Sequence, residues 1–345
     1  MTICTSNAGS AEPIGYLATR RERAVQSRVS EHRRGTRILK NMCARPTIAQ
    51  LKMLPGQGGR SGRRTRHPTP SPVPSALCQG LTDMPEGDTL RRAAEVLTPI
   101  LEGQVVTDLW FKKLRGYRPR VGDTVHSVEA VGKYLLIEFD RKLVLHTHLG
   151  MSGSWRAGGL DRPVPRDPKL RIVIETLLGR ALCFAAPDIS THIAGSGTAP
   201  ADRVGPDLSN DDVDLDVVVA KSRTRSTDVT TLAELLLDQQ VAAGVGNVFK
   251  SEALFVAGLH PFIAVSAITD DQLRKLWSIA HRQLVANRAT PYRSTTGRGN
   301  EGRTHVYGRH RFACRRCDNS IDFSAAGVRT ARSTYWCPSC QPMRG

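Results

Sequence analysis

From residue 84 onward the chain alternates between two hydrophobic periods, and each change of period marks a change of element. Leu90, Ala93, Ala94, Leu97 and Leu101 recur at helical spacing with Arg91, Arg92 and Glu95 between them, which predicts an amphipathic helix over 87–101. Gly103 is placed to end it. The period then shortens. VVTDLW (105–110), TVHSVEAV (124–131), YLLIEF (134–139), LVLHTHL (143–149), LRIVIET (170–176) and ALCFAA (181–186) are short β-rich runs separated by turn residues. Six such runs predict a β-sandwich. Residues 187–229 read as loop-rich, after which the helical period returns over 231–240, 247–259 and 269–288.

Residues 1–83 differ in texture. They are rich in Arg, Ser, Pro and Gly and sustain neither period, so disorder is expected there. The segment from about 299 is short, Arg-rich and Cys-bearing. The expected fold class is a multi-domain α+β protein with four stretches: a basic extension (1–83), a β-sandwich domain carrying its own helix (84–205), a helical domain (206–298) and a small cysteine-bearing domain (299–345).

Charge adds a partner. The 345 residues carry 49 Lys and Arg against 32 Asp and Glu, a net charge of +17, which points to a polyanion and to nucleic acid first. Of this, +10 lies in residues 1–83, so the remaining 262 residues are only moderately basic. No run reaches the roughly 18 apolar residues of a membrane span, and no apolar segment follows Met1 as a secretory signal requires. A cytoplasmic, nucleoid-associated protein is expected.

Four of the eight cysteines stand apart (Cys4, Cys43, Cys78 and Cys183). The other four form two CxxC pairs, Cys314/Cys317 and Cys337/Cys340, separated by 19 residues. This is zinc-ribbon spacing, in which each turn presents two thiolates to one tetrahedral ion. Four protein ligands close the site, so the zinc would be structural; free or redox thiols are the alternative. Between two helical runs, Gly244-Val245-Gly246 precedes Asn247. Free amides at such a helix start can bind phosphate, although a purely structural turn reads equally well.

The ordered motifs MPEGDTLRRAAEVL (84–97), VGKYLLIEF (131–139), HLGMSGSW (148–155), VGPDL (204–208), LLDQQVAAGVGNVFKSEALF (236–255) and the closing CRRC…TARSTYWCPSCQ together resemble the formamidopyrimidine-DNA glycosylase/endonuclease VIII family. MPEGDT leans towards the endonuclease VIII branch. The resemblance implies a β-sandwich, a helix-two-turns-helix domain and a zinc finger, acting as a monomer on damaged DNA. It implies a bifunctional enzyme that excises oxidised bases and cleaves the resulting abasic site by β,δ-elimination.

By that resemblance Pro85 is the nucleophile and Glu86 the general acid/base. Lys133 contacts phosphate and assists base release; alone, a lysine in a hairpin would be a solvated charge. Met151 is the wedge filling the place of the flipped nucleotide, with core packing as its plain alternative. Asn247 and Arg332 grip the flanking phosphates. The chemistry is coherent: a terminal amine has a pKa of about 8 against roughly 10.4 for lysine, so part of it is free base at neutral pH.

Three departures stand out. Family members usually carry Glu at the position of Thr89. The Asp-Pro-Arg-Arg-Phe segment of the 8-oxoguanine-cleaving branch has no counterpart in residues 183–193, which favours oxidised pyrimidines as substrates. With residues 1–83 attached, the Pro85 nitrogen is a tertiary amide. Met84 as the true initiator, a removable targeting segment, and an inactive or regulatory long form are the three readings, of which the first is adopted. The rival function is a non-catalytic lesion-binding protein, with a zinc-ribbon transcription factor as a more distant one.

Overall fold

A computed structural model of the chain describes residues 84–290, 292–298, 302–326 and 332–343, all within one compact unit, Ser71–Gly345. The expectation of disorder in 1–83 lies outside the described residues. Helix α1 (Gly87–Leu101) occupies the span its period predicted, and its buried stripe of Leu90, Ala94, Leu97 and Leu101 is fully consumed by packing. It packs into a sandwich of two four-stranded antiparallel sheets. One has the order β1 (Asp108–Phe111), β6 (Leu170–Glu175), β7 (Arg180–Phe184), β5 (Ser154–Gly158); the other runs β2 (Val125–Val131), β3 (Tyr134–Phe139), β4 (Leu143–His148), β8 (Asp188–Ile193). Leu135, Ile137, Phe139 and Leu145 from one sheet meet Ile172, Ile174 and Trp155 from the other, with α1 closing the same core.

The second core is helical. It is built from α2 (Leu215–Arg225), α3 (Leu232–Leu235), α4 (Asn247–Ala257) and α5 (Asp270–Asn287) around Trp277, whose indole N–H donates to Ser222 Oγ at 2.9 Å. Phe255 near the end of α4 packs with Val306, Ile321, Cys314 and Cys337, which fastens the cysteine-bearing hairpin β9 (Asp322–Ser324) and β10 (Thr334–Trp336) to the helical core. Among the described residues, no helix is long and apolar enough to cross a membrane.

The stretch 187–229 is not the loop its composition predicted. It contains β8, whose Ser190 and Thr191 are buried because tertiary neighbours satisfy them: Thr191 Oγ1 donates to the Tyr117 carbonyl at 2.6 Å. It also contains α2, started by the Asp214 side chain accepting from the amides of Asp216 and Val217. Three consecutive valines concealed that helix, since β-branched residues are weak helix formers. The predicted helix over 231–240 is reduced to the single turn of α3, capped reciprocally by Thr231 and Glu234, and the strand Ser154–Gly158 had no sequence signal.

Candidate active site and nucleic-acid interface

The chain entering α1 is pressed against the turn that starts α4. The Gly87 amide donates to the Gly244 carbonyl at 2.9 Å, and a Cβ on Gly87 would lie 2.9 Å from Gly244 Cα. That contact seats Pro85 and Glu86, both buried, at the N-terminus of α4. The Glu86 carboxylate accepts from the amides of Gly246 (2.7 Å), Val248 (2.7 Å) and Phe249 (3.3 Å). Three of the donors that the sequence reading offered to phosphate are thus taken by a carboxylate of the chain itself. The helix dipole favours the negative group at this end. Gly246 is glycine for want of space, because a Cβ there would stand 2.3 Å from Glu86 Cδ.

Arg293 closes this site from behind. It is buried, and its guanidinium forks onto Asp88 (Nε to Oδ2 3.0 Å, Nη2 to Oδ1 2.6 Å), lies 3.8 Å from Glu86 Oε1 and sits over the Phe249 ring. It also donates to Thr89 Oγ1 at 3.2 Å and to the Met84 carbonyl at 3.1 Å. The carboxylate that Arg293 engages beside Thr89 is the fully buried Asp88.

Lys133 follows a tight turn between β2 and β3. Gly132 has φ +57°, and a Cβ on it would lie 2.7 Å from the Ala243 Cβ. Its amide donates to Asp207 Oδ2 at 2.8 Å, while the other oxygen of Asp207 accepts from Ser209. The VGPDL segment therefore clamps the turn that presents Lys133. Desolvation pushes the Lys133 amine down to about 8, with Arg332 and Arg293 adding to the fall and Glu86 opposing it. Lys133 thus lies within electrostatic reach of Glu86, Arg332 and Arg293.

Asn247 is the first residue of α4 and is buried. Its Oδ1 accepts from Lys250 Nζ at 2.7 Å, which turns the amide NH₂ away from that bond. Lys250 is fully buried and also donates to the Ser333 carbonyl (2.8 Å) and Thr334 Oγ1 (2.9 Å), so one ammonium joins α4 to the strand that follows Arg332. Burial pushes its pKa down to about 7, against the raising effect of Glu86. Glu252, equally buried, accepts from the amides of His305, Val306 and Tyr307, each at 2.8 Å. Sequence reasoning missed both. In an amphipathic helix they would mark the wet face, but α4 is buried from Asn247 to Phe255, and charges on such a helix must find partners. Replacing Lys250 by Met leaves Asn247 Oδ1, the Ser333 carbonyl and Thr334 Oγ1 without this donor; a loss of roughly 2 kcal/mol is expected in urea unfolding, together with weaker DNA binding. Unchanged stability and affinity would show that the bridge is dispensable.

Met151 is 69 % exposed, at the turn after β4, which removes core packing as its explanation. The turn is held by the Gly150 amide donating to His148 Nδ1 at 3.2 Å and by Pro187, which a Gly150 Cβ would meet at 2.8 Å. His148 stacks at a tilt on Tyr134, next to Lys133, so the methionine turn and the lysine turn share one end of the sandwich. Burial lowers the His148 pKa, and Lys133 and Arg332 lower it further.

The four ribbon cysteines converge as their spacing predicts. All their sulfurs lie within 4.8 Å of one another, with Cys314–Cys340 at 3.8 Å and Cys317–Cys337 at 3.5 Å. Thiolates 2.3 Å from a tetrahedral ion stand roughly 3.8 Å apart, so the set fits zinc.

The sequence profile of the formamidopyrimidine-DNA glycosylase N-terminal domain matches residues 84–188, and that of the formamidopyrimidine-DNA glycosylase H2TH domain matches 204–290. The chain is 37% identical to "Endonuclease 8 2" of Mycobacterium bovis over 273 residues, covering 75% of this chain and 100% of the relative. It is 35% identical to "DNA-(apurinic or apyrimidinic site) lyase Nei2" of Mycolicibacterium smegmatis over 260 residues, 75% of this chain and 99% of the relative. Among solved structures, the MutM (Fpg) protein of Thermus thermophilus aligns with a TM-score of 0.62 at 25% identity, covering 76% of this chain and all of that one. A Lactococcus lactis formamidopyrimidine-DNA glycosylase non-covalently bound to abasic-site DNA aligns at 0.63 and 21% identity over 74% of this chain and 99% of that one, a likeness of fold.

Proposed function

We propose, from the premise that the chain belongs to the formamidopyrimidine-DNA glycosylase/endonuclease VIII family and is a DNA glycosylase and abasic-site lyase of base-excision repair, that it excises oxidised bases, pyrimidines preferred, through an imine at Pro85 and cuts the strand by β,δ-elimination. The burial of Pro85 beside a Glu86 carboxylate that is itself held by three backbone amides carries this reading. In a chain that begins at Pro85, the secondary amine attacks C1′ of the damaged nucleotide. The N–C1′ bond forms as the glycosidic bond breaks, and the departing base takes a proton. Glu86 protonates O4′ as the C1′–O4′ bond opens, giving the iminium. Loss of a C2′ proton then expels the 3′ phosphate, loss of a C4′ proton expels the 5′ phosphate, and water releases the sugar remnant from Pro85.

The other side chains supply position and charge. Lys133, Asn247 and Arg332 bind the phosphates flanking the flipped nucleotide, and Met151 enters the stack where that nucleotide stood. A structural zinc ion on Cys314, Cys317, Cys337 and Cys340 would hold the hairpin that presents Arg332, contributing folding free energy to a segment with little core of its own.

Pyrimidine preference is supported by the tight passage from β7 into β8. Ala185 adopts φ +51°, Pro187 packs against Gly150, and β8 begins at Asp188, leaving no segment to form a longer wedge. Single-turnover excision from duplexes carrying an oxidised pyrimidine should exceed that from 8-oxoguanine duplexes by about tenfold, a difference of roughly 1.4 kcal/mol in barrier. Equal or reversed rates would remove the preference. The alternative, a lesion-binding protein without catalysis, is favoured by one observation: with Met84 attached, its carbonyl is held by Arg293 and the Pro85 nitrogen is acylated.

A further inference from the structure

Beyond the residues assigned to the damaged strand, the sandwich carries a second cationic feature at the same end as Lys133 and Met151. A concavity of about 520 Å³ is lined by Lys112, Lys113, Arg115, Arg171, Pro187 and Asp188, among others. Four cations face a single carboxylate. Arg115 pairs with that carboxylate, Asp188, through two side chains that are 74% and 39% exposed. Lys112 Nζ and Arg171 Nη1 both donate to one neutral acceptor, the Pro168 carbonyl, at 3.0 and 2.8 Å. Lys113 is exposed and makes no ion pair among the described residues. The charge of the concavity is therefore largely uncompensated.

Its location follows from the packing. Pro187, on its wall, is the residue against which Gly150 packs beside Met151. Asp188 is the strand partner of His148, whose ring contacts Tyr134 next to Lys133. The backbone fixes the other wall, because the Arg115 amide donates to the Ile189 carbonyl at 3.1 Å and its own carbonyl accepts from Thr191 at 2.8 Å. In the sheet order β2-β3-β4-β8 the lysine turn joins the first two strands, the methionine turn follows the third and the concavity borders the start of the fourth, so it lies across the methionine turn from Lys133.

We propose that this concavity binds the phosphodiester backbone of the undamaged strand opposite the lesion, and so adds a duplex-specific contact to the enzyme. The proposal rests on the reading of Met151 as the wedge. A wedge entering the stack has the damaged strand on the side of the phosphate-gripping residues and the complementary strand on the other, where these cations lie. Phosphate is the occupant that charge favours: an uncompensated cluster gains by releasing the counterions of a polyanion, and requires no sequence.

The test compares Lys113→Ala and the double variant Lys113→Ala/Arg115→Ala with the parent protein on one lesion oligonucleotide, single-stranded and paired. Both side chains are exposed, so the fold is retained. The expected result is a roughly three- to tenfold loss of duplex affinity, and a salt dependence of log K shallower by about 0.9 per phosphate contact removed, with single-strand affinity unchanged. Neutral methylphosphonates placed in the undamaged strand opposite the lesion should weaken the parent protein and leave the double variant indifferent. Equal losses on single and paired strands, no loss on either, or equal sensitivity of parent and variant to methylphosphonates would each overturn the proposal. Borohydride trapping on single-stranded abasic DNA reports separately on the Pro85 reading, which stands or falls without this surface.

Discussion

A chain beginning at Pro85 is expected to become covalently joined to abasic-site DNA when borohydride is added, whereas the 345-residue chain binds the same DNA and yields no adduct. The reason is the electronic state of one nitrogen. As a terminal secondary amine it has a lone pair and a pKa of about 8, so a useful fraction is unprotonated at neutral pH. Acylated by Met84, it is a tertiary amide whose lone pair is delocalised into the carbonyl, and no iminium can form. The attached Met84 is also anchored, since its carbonyl accepts from Arg293 beside the Glu86 carboxylate. Intact mass on the two preparations, taken with the trapping gel, decides the matter. An adduct from the full-length chain with its mass unchanged would mean that some other amine attacks, and would remove Pro85 from the mechanism.

Glu86→Gln is expected to lower the single-turnover rate by roughly 10² to 10⁴ while leaving affinity for a non-cleavable abasic analogue within about twofold. The site allows little accommodation. Three amides, from Gly246, Val248 and Phe249, point at two carboxylate oxygens, and a glutamine can offer only one acceptor while bringing two further N–H donors. Gly246→Ala tests the same geometry from the backbone side, because its Cβ would occupy the place of Glu86 Cδ. The two variants should share a kinetic phenotype, with Gly246→Ala the less stable of the pair. Loss of binding equal to the loss of rate would reassign Glu86 to holding the fold of α4 rather than moving protons.

The distribution of legible and illegible features has a physical basis. Helix α1 and the interior strands were readable because one-sided burial imposes a period on sequence, as with Leu90, Leu97 and Leu101. The ribbon cysteines were readable because two CxxC turns bring their own ligands into register over a short chain segment. Strand β8 and helix α2 were not, since Ser190, Thr191 and the valines of α2 are placed by partners distant in sequence.

The sequence by itself marked α1, the interior strands, the four converging cysteines and, through a contiguous motif, the pair Pro85 and Glu86 proposed as reactive, because each resides in local spacing or in adjacent residues. Only the tertiary structure decided what the turn before α4 does. The Gly246 amide and the first amides of α4 are spent on Glu86, the absence of a side chain at Gly246 admits that carboxylate, and Lys250, Glu252, Asp207 and Arg293 tie the helix, the lysine turn and the cysteine hairpin into one site. These are contacts that buried charges make, largely with neutral groups distant in sequence. A charge in a sequence carries no mark of whether it will face water or a partner, and only the packing of α4 on every side makes those pairings obligatory.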